Sequence, residues 1–557
     1  MPFKSIFPSI PIETESYGKR ILESFLKNPT KKAFIYAQNP NKLITYQKLY
    51  DETLMVAAFL EKHGFGHKDI ALLFLPNSWE FVEILTAVSL RGGAFSAICV
   101  IRDIDGVQHQ LEECQPKFIF CSDDKLNIIK KAVKNNKLSP KIVVCQLSSN
   151  QQNLPESSDD KTLSIINFST IINDPSLSNP SLQNIEEKNI DVKNDIFVIQ
   201  YTSGTTGPPK GVMLSHQNYS TETSIFINHF NKYVYPRFDP NWSYENEATI
   251  LLQAFCSGYG LSILLKSIIC GQTCILCGQT CTDFDKNVFF KAIDDFKIRE
   301  LFLIPPTLSI FIYDLCVDDF DLSSLEIFHL SAAPTSESIS QKVYEKLKNL
   351  KRIERSYGTS ECSFSAITNP IYEKSRSDIA GTLCSNFEMK IIDESGNELP
   401  EGEKGELCTR GPTTMIGYLK NPKKTAEAID SEGWFHCGDF AKYDNEGNLY
   451  IFGRLKDVIK VNEEKIGPSE LENVLLSHSE IKDAAVVGIK DDECGQVPKA
   501  FVVKNDKELN EQKVQEFLEE QTPSYMHFKG GVEFISEIPK SGGGKISRKD
   551  LIEKENE

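Results

Sequence analysis

The stretch over residues 201–211 concentrates residue types that bind phosphate. It has the sequence Tyr-Thr-Ser-Gly-Thr-Thr-Gly-Pro-Pro-Lys-Gly. Hydroxyls and backbone N–H groups donate hydrogen bonds to phosphate oxygens, glycine lets the backbone approach closely, and lysine adds a positive charge. The sequence therefore predicts a loop that wraps a polyphosphate. Its candidate binding residues are Thr202, Ser203, Gly204, Thr205, Thr206, Gly207 and Lys210.

This loop differs from a Walker A loop. Lys210 lies three residues after Gly207 and is followed by Gly211 rather than by Ser or Thr. The apolar run at residues 196–200 precedes it and is typical of a strand, so the loop extends from the end of a sheet. A flexible surface loop is the alternative. The dense hydroxyls, the lysine and the upstream strand favour phosphate binding.

Residues 355–361, Arg-Ser-Tyr-Gly-Thr-Ser-Glu, carry a second set of candidate groups. The Tyr357 ring could stack on a purine, and the Ser360 hydroxyl could meet a phosphate oxygen. Glu361 could hold Mg²⁺, because hard cations prefer carboxylate oxygens. Taken alone the motif is weak, since Tyr-Gly turns such as the one at Gly358 are common.

Three further residues could complete a nucleotide site. Asp439 follows a Gly-containing turn and could accept hydrogen bonds from ribose hydroxyls, although capping of that turn is the alternative. Arg454 places a guanidinium beside a change in composition. Lys545 lies on a Gly-rich segment near the end of the chain, where a solvated lysine is the alternative.

The bulk composition argues against several classes of function. At 557 residues the chain is long enough for more than one domain. Its 61 Lys and Arg against 78 Asp and Glu give a net charge of −17, so we expect no nucleic-acid partner. The 15 cysteines fall largely inside apolar runs, which favours buried free thiols over disulfides. Nothing near Cys277 and Cys281 completes a zinc site.

The chemistry-bearing segments are separated by alternating helices and short apolar strands. This alternation fills residues 16–121 and 195–330 and predicts mostly parallel sheets with helical crossovers. Local predictions are strands at residues 70–75 and 141–145, an amphipathic helix at residues 79–91 that ends at glycine, and a polar surface connection at residues 146–194.

The pattern changes after Gly381. Short segments at residues 389–393 and 405–410 are separated by Gly-containing turns, which predicts a small antiparallel β unit. The last hundred residues or so have an α+β pattern of their own. We therefore expect an α/β protein. It would have a large multi-layer N-terminal domain with parallel sheets and a small β-barrel-like unit, and a small mobile α+β C-terminal domain.

In their order and spacing these motifs resemble those of the adenylate-forming superfamily. This group includes acyl-CoA synthetases, 4-coumarate–CoA ligases, beetle luciferases and peptide-synthetase adenylation domains. The phosphate loop, Tyr-Gly-x-Ser/Thr-Glu, Trp-Phe-x-x-Gly-Asp, Gly-Arg-x-Lys and a terminal Gly-Lys all occur in register. Residues 214–218, 331–334 and 468–472 also look like family segments, and the likeness spans about residues 20–550.

The resemblance implies an N-terminal AMP-binding domain over residues 1–453, with the acyl and ATP sites. A hinge would follow at residues 454–458, containing Lys456 and Asp457, and a C-terminal lid at residues 459–557. In such proteins a rotation about the hinge exchanges an adenylating state for a thioester-forming state. The lid would bring Lys545 into the site for the first step and remove it for the second.

The resemblance also implies the residue roles. Lys545, Glu361, Thr205 and Lys210 would be catalytic, and Glu361 would hold Mg²⁺. The ATP-binding set would be Thr202, Ser203, Gly204, Thr205, Thr206, Gly207, Lys210, Ala332, Ala333, Tyr357, Gly358, Ser360, Asp439, Arg454 and Lys545. Attack of a carboxylate on the α-phosphate of ATP would give an acyl-adenylate and pyrophosphate. Coenzyme A would then be the co-substrate that takes the acyl group.

The acyl pocket is expected around Ser257, Gly258 and Tyr259, with His216 beside it. Similar proteins usually carry His where this chain has Ser257, so the acyl end would be shaped differently. Residues 253–260 contain no carboxylate, which argues against an amino acid substrate, because a buried ammonium group needs a counter-charge.

A second departure affects the acceptor. Similar proteins usually show Lys-Gly where this chain has Asn462-Glu463, and Glu463 adds bulk and negative charge facing an anionic cofactor. The leading hypothesis is an acid–thiol ligase that activates a hydrophobic fatty or aromatic acid. Alternatives are an adenylating enzyme that does not use coenzyme A, as in luciferases, and a catalytically weak relative that acts as a binding protein.

The location in the cell is expected to be cytoplasmic. The start of the chain lacks the pattern of a signal peptide, and its end is not a peroxisomal signal. The uncharged stretch at residues 248–265 fits a buried strand–turn–helix better than a membrane helix. Peripheral contact of the protein with a membrane is an open alternative.

Overall fold

The structure of the protein is a computed structural model of the chain. It describes residues 2–147, 163–178, 190–202, 209–280, 283–335, 337–367, 376, 378–505, 508–540 and 545–555. The helices in these residues are α1 (Tyr17–Phe25), α2 (Tyr46–Lys62), α3 (Trp79–Leu90), α4 (Ile104–Cys114), α5 (Leu126–Asn135), α6 (Phe168–Ile172), α7 (His216–His229), α8 (Gly258–Ile269), α9 (Lys286–Asp295), α10 (Leu308–Tyr313), α11 (Glu337–Lys346), α12 (Pro422–Ala428), α13 (Pro468–Ser477), α14 (Glu511–Glu519) and α15 (Arg548–Glu555).

The strands fall into two groups along the chain. Those before residue 300 are β1 (Phe3–Lys4), β2 (Lys32–Tyr36), β3 (Asn39–Thr45), β4 (Ile70–Phe74), β5 (Ala94–Ala97), β6 (Phe118–Ser122), β7 (Lys141–Cys145), β8 (Ile165–Asn167), β9 (Ile196–Tyr201), β10 (Gly211–Ser215), β11 (Ala248–Ile250), β12 (Thr273–Leu276), β13 (Gly278–Thr280) and β14 (Asp283–Phe284). The others are β15 (Glu300–Leu303), β16 (Ile327–Leu330), β17 (Arg352–Thr359), β18 (Ser363–Ile367), β19 (Gly381–Leu383), β20 (Glu388–Ile392), β21 (Glu398–Leu399), β22 (Gly405–Arg410), β23 (Gly417–Tyr418), β24 (Phe435–Tyr443), β25 (Asn448–Arg454), β26 (Ile459–Val461), β27 (Glu464–Ile466), β28 (Ile481–Asp491), β29 (Gly495–Lys504) and β30 (Val532–Phe534).

The large N-terminal domain is built on two main sheets. The first has the order β23-β10-β9-β5-β4-β6-β7-β8, with parallel pairing from β9 through β5 and β4 to β8 and an antiparallel β9–β10 hairpin. The second runs β1-β20-β22-β24-β25-β19-β18-β17-β16-β15. Its β15–β17 part is parallel, and its antiparallel part contains the unit predicted after Gly381.

A separate five-stranded sheet lies in the small C-terminal domain. Its path is β27-β26-β29-β28, and β30 pairs with β29. All five strands follow Val458, and their apolar side chains form a core of their own with α13 and α14. The fold class is thus the predicted one, an α/β protein with a large N-terminal domain and a small α+β C-terminal domain.

Most local predictions agree with the structure. The strand predicted at residues 70–75 is β4, the strand at 141–145 is β7, and residues 248–265 form β11 followed by the start of α8. No helix within the described ranges is long and apolar enough to cross a bilayer. Much of the predicted connection at residues 146–194 lies outside the described residues.

Helix α3 is present where it was predicted, but it is not amphipathic. Every residue from Phe81 to Leu90 is buried. The reason is tertiary, because α1 and α2 pack against this helix and leave it no solvent face. Gly92, with φ of 72°, follows the helix in the left-handed conformation that ends helices readily.

Helix α7 begins at His216, which the sequence placed near the acyl pocket. The imidazole is fully buried, its Nδ1 accepts a hydrogen bond from the Tyr17 N–H at 3.2 Å, and its ring packs against Phe197. No described hydrogen bond or ring contact of His216 reaches Ser257 or Tyr259. Burial lowers the pKa of His216 to about 4, so the ring is neutral in the core.

This buried imidazole predicts acid sensitivity. In the unfolded chain a histidine has a pKa of about 6.5. The stabilisation due to neutral His216 is therefore complete above about pH 6.5 and is lost as the pH falls toward about 4. We expect His216 to reduce the free energy of unfolding by about 2 kcal/mol between about pH 7 and pH 5.

The measurement is urea unfolding at both pH values for the wild type and for His216→Gln. The variant is expected to be less stable at neutral pH, and its midpoint is expected to change less on acidification. An unchanged pH dependence in His216→Gln would assign the acid sensitivity to other groups. His229, whose pKa burial lowers to about 3, is the first of these.

Candidate active site

The predicted phosphate loop connects the antiparallel strands β9 and β10. At its neck the Thr202 N–H donates to the Lys210 carbonyl at 3.1 Å, and the Lys210 N–H donates to Thr202 Oγ1 at 3.1 Å. These two bonds fix where the loop leaves the sheet. The predicted phosphate ligands at the tip lie outside the described residues; they are Ser203, Gly204, Thr205, Thr206 and Gly207.

Tyr418 joins this loop to the Tyr-Gly motif. The Lys210 Nζ lies 4.3 Å from the centroid of the Tyr418 ring, and the Tyr418 hydroxyl donates to Glu361 Oε1 at 2.8 Å. Strand β23, which carries Tyr418, pairs with β10. A predicted phosphate-binding cation and the predicted metal-binding carboxylate thus contact one aromatic residue. Nothing in the spacing around Tyr418 indicated this, and sequence analysis missed it.

Glu361 lies in the narrow turn between β17 and β18. At Gly358 an added Cβ would lie 1.8 Å from the Ser363 carbonyl oxygen, so only glycine fits there. This close approach sets the path of the chain through Ser360 to Glu361. The motif therefore depends on its glycine for geometry.

Three segments meet at Asp439. The Tyr357 hydroxyl donates to Asp439 Oδ2 at 2.5 Å, and Arg454 Nη1 lies 3.4 Å from Asp439 Oδ1. Asp439 and Arg454 are directly opposite each other in the β24–β25 ladder. Arg454 also donates to the Cys437 carbonyl at 3.1 Å. Sheet register therefore brings together residues that the sequence placed in three separate motifs.

The Ala332–Ala333 segment follows β16 and lies next to the strand of Tyr357. Ala332 has φ of 77°, a left-handed conformation that costs a non-glycine residue about 1 kcal/mol. The preceding Ser331 hydroxyl donates to the Ser356 carbonyl at 3.3 Å. Such strain persists where surrounding contacts impose it and is common at functional sites. This position is consistent with the predicted adenine slot.

Lys545 from the C-terminal domain reaches the same cluster. Burial and the nearby Arg454 charge lower the pKa of Lys545, while the carboxylates of Asp439 and Glu361 raise it in part. Burial likewise raises the pKa of Asp439, opposed by Arg454, the Tyr357 hydrogen bond and Lys545. Two carboxylates and two cations therefore share a poorly solvated site between the domains.

The predicted hinge residues lie in a short helical turn over Leu455–Asp457, between β25 and β26. Asp457 Oδ2 is 3.9 Å from the Arg548 guanidinium. Arg548 in turn pairs with Glu472 Oε1 at 2.5 Å. Arg548 thus links the turn that contains Lys456 and Asp457 to α13. The hinge function stays a prediction.

The predicted acyl residues lie at the start of α8. Ser257 caps this helix, since its Oγ accepts from the Gly260 N–H at 3.1 Å and donates to the Ala254 carbonyl at 2.7 Å. The Tyr259 hydroxyl donates to the His329 carbonyl at 3.0 Å. At Gly258 an added Cβ would lie 3.1 Å from Gln200 Oε1, close to the end of β9. Ser257 is thus held by local bonds, and Tyr259 by a long-range bond to β16.

Family profiles match most of this chain. The AMP-binding enzyme profile matches residues 22–419, and the AMP-binding enzyme C-terminal domain profile matches residues 470–545. The chain belongs to the AMP-binding enzyme family. It is therefore an adenylate-forming enzyme by family, as its motifs predicted, and members of the family use ATP and Mg²⁺.

Among curated proteins the chain is similar to the probable 4-coumarate–CoA ligase 1 of Dictyostelium discoideum. The two are 31% identical over 557 residues, which cover 99% of this chain and 97% of the relative. Among solved structures it resembles the anthranilate CoA ligase AuaEII bound to anthranoyl-AMP, with a TM-score of 0.82, 21% identity and 98% coverage of each chain. The amide bond synthetase McbA from Marinactinospora thermotolerans gives a TM-score of 0.79, 20% identity and coverage of 96% and 98%.

The residues present fit a magnesium ion. One oxygen of Glu361 accepts from Tyr418, and magnesium is usually held by one or two carboxylates together with substrate phosphates. Glu361 would hold the ion, and Lys210 would add a second positive charge near the phosphates. The bound ion would neutralise phosphate charge.

The Tyr418 contacts predict a graded effect on MgATP binding. Tyr418→Phe keeps the ring beside Lys210 but removes the bond to Glu361. We expect it to weaken MgATP binding by up to about tenfold, since one hydrogen bond to a charged group is lost. Tyr418→Ala should weaken binding further, because it also releases Lys210.

Calorimetric titration with MgATP measures this series. Phe3 supplies a control, because Phe3→Leu alters an aromatic side chain near Tyr443, away from the site. Equal affinities for the wild type, Tyr418→Phe and Tyr418→Ala would show that Tyr418 does not position Glu361 or Lys210.

Proposed function

We propose that the protein activates a hydrophobic carboxylic acid, fatty or aromatic, with ATP and transfers the acyl group to coenzyme A. The observation that carries the proposal is the position of Lys545 beside Asp439, Arg454 and Glu361. A lysine from the C-terminal domain is thus buried at a site where a nucleotide and a carboxylate could meet. The similarity to 4-coumarate–CoA ligases over nearly the whole chain supports the choice of acid–thiol ligase.

The first step would join the acid to the α-phosphate of ATP with loss of pyrophosphate. Its main requirement is to hold two anions together, so positioning and charge neutralisation dominate catalysis. Asp439 would accept from the ribose hydroxyls, and Tyr357 would pack against the base. Lys545 would lie between the carboxylate and the α-phosphate, where negative charge develops.

The second step would be attack of a thiol on the acyl-adenylate carbonyl, with AMP leaving. Lys545 lies in the site in the present arrangement, so we infer that the C-terminal domain moves between the two steps. The change would occur about the turn at Lys456 and Asp457. Coenzyme A would then approach the face that Lys545 leaves.

Asn462 and Glu463 bear on the identity of the acyl acceptor. They form the two-residue turn between β26 and β27, where Val461 pairs with Glu464. Asn462 takes a left-handed φ of 53°, and Glu463 is exposed. This turn supports the second candidate function, an adenylating enzyme whose acyl group goes to an acceptor other than coenzyme A.

Lys545→Ala tests the first step. We expect pyrophosphate release to slow by about 10² to 10³-fold, as when a single group that stabilises transition-state charge is removed. Thioester formation from supplied acyl-adenylate should be much less affected. Lys540→Ala is the matched control, because Lys540 pairs with Asp483 at 2.6 Å within the C-terminal domain. Undiminished pyrophosphate release in Lys545→Ala would refute the assigned role.

A panel of acids tests the overall function. Short to long fatty acids and cinnamic-type acids are assayed for pyrophosphate release, acyl-AMP and acyl-CoA, with and without coenzyme A. Acyl-CoA from one acid class is the expected result. Acyl-AMP that accumulates with no thioester would favour another acceptor, and Glu463→Gly should then restore thioester formation if Glu463 blocks it. Absence of pyrophosphate release with every acid would contradict the proposed activity.

A further inference from the structure

Glu222, on the buried side of α7, has a carboxyl group that pairs with no cation among the described residues. The residue is 3% exposed, and the hydroxyls of Ser262 and Ser363 are the neighbours that lower its pKa. Burying a carboxylate without a nearby opposite charge is costly, even when hydroxyl groups donate to it. A residue kept in this state is a candidate for a partner that comes from outside the chain.

A small cavity adjoins this carboxyl group. It is enclosed by α7, α8 and β18, and its size allows a group about as large as one water molecule. Its lining residues are Glu222, Thr223, Phe226, Ser262, Ile263, Lys266 and Phe364. The cavity can therefore take a small polar group but has no room for an acyl chain or a ring.

The cavity wall favours a cation. Aromatic faces attract positive charge, and Phe226 and Phe364 both line the cavity. The Lys266 ammonium is the other charged group in the wall, and it pairs with Glu300 Oε1 at 3.2 Å and Gln272 Oε1 at 2.9 Å. Its charge is thus already compensated, so the carboxyl group of Glu222 is the one left to bind an ammonium group.

The cavity borders the predicted acyl pocket. The Phe364 ring contacts the Tyr259 ring edge-on, with centroids 6.0 Å apart. Phe364 is also the partner of Gly358 in the β17–β18 ladder, one strand from the Tyr357–Glu361 motif. A molecule whose carboxylate lies near Lys545 could therefore extend past Tyr259 and place its far end at Glu222.

We propose that Glu222 determines substrate specificity by binding an amino group at the end of the acid opposite its carboxylate. The substrate class would then be amino-bearing carboxylic acids with an apolar middle section. This inference rests on the proposed acid activation and names the substrate class of that site. The absence of a carboxylate in residues 253–260 argued against an amino acid, but the fold supplies one from α7.

The protonation state of Glu222 agrees with this role. Burial raises its pKa to about 8, so without a ligand the group is largely neutral at pH 7, which limits the cost of leaving it unpaired. An ammonium group in the cavity would stabilise the carboxylate instead. Binding of an amino-bearing acid should therefore release a proton from the protein, whereas binding of the apolar analogue should not.

Matched acids test the proposal with the wild-type enzyme. Straight-chain acids ending in an amino group are compared with acids of equal length ending in a methyl or hydroxyl group. Aminomethyl-substituted phenylpropanoic acids are compared with their ethyl-substituted analogues. We expect kcat/KM for pyrophosphate release to be about 10²-fold higher for the acid that ends in an amino group than for its methyl analogue, at the best chain length. Preference for the methyl or the hydroxyl analogue would overturn the proposal.

Glu222→Gln keeps the shape of the side chain and removes the acid. It should lower the amino preference by at least about tenfold while activity with the apolar analogue persists. Glu83→Gln is the control, because Glu83 on α3 is also a fully buried acid and does not line the cavity. Equal loss of preference in both variants, or in neither, would refute the role of Glu222.

Binding measurements separate this proposal from the proposed function. Calorimetry with a non-hydrolysable ATP analogue present needs no turnover, and buffers of different ionisation enthalpy report proton release. Amino-specific binding that Glu222→Gln abolishes would support the specificity role even if no acid releases pyrophosphate. Pyrophosphate release with apolar acids and no amino-specific binding would leave the proposed function intact and refute the role of Glu222.

Discussion

The site depends on keeping the carboxylate of Asp439 charged while it is buried. A buried charge is tolerated only with close opposite charge and hydrogen bonds. Asp439 obtains these from Arg454 across one ladder, from Tyr357 on another strand, and from Lys545 in the other domain. The arrangement of the antiparallel strands and the position of the C-terminal domain are therefore coupled through one acidic group. Loss of any one of these partners would leave the charge of Asp439 to be compensated by the others.

The Glu222 end of the site differs from the Asp439 end in its electrostatics. Near Asp439 the charges compensate one another, whereas at Glu222 a buried acid that pairs with no cation among the described residues faces a small cavity. The Tyr259 ring contacts Phe364 on β18, and β18 pairs with β17, which carries Tyr357. The two ends are therefore distinct in electrostatic character, one assembled for phosphate and charge transfer and the other open to a ligand group.

Local features of the fold followed from the sequence where a segment is governed by its own pattern. Strands β4, β7 and β9, and the helix within residues 248–265, are examples. Prediction failed where a neighbour decides the environment. Helix α3 is buried on all sides because α1 and α2 cover it. The contacts of His216 with Tyr17 and Phe197 are likewise a product of the tertiary structure, and its place beside the acyl pocket stays a prediction.

By itself the sequence determined the chemical groups and the family, because side-chain type and short spacing are local properties. It placed Lys210, Glu361, Asp439, Arg454 and Lys545 in motifs without showing that they meet. Only the tertiary structure brought Tyr418 between two motifs and Glu222 beside α8. Those contacts depend on sheet order and helix packing over long sequence separations, and neither is encoded in the local spacing of residues.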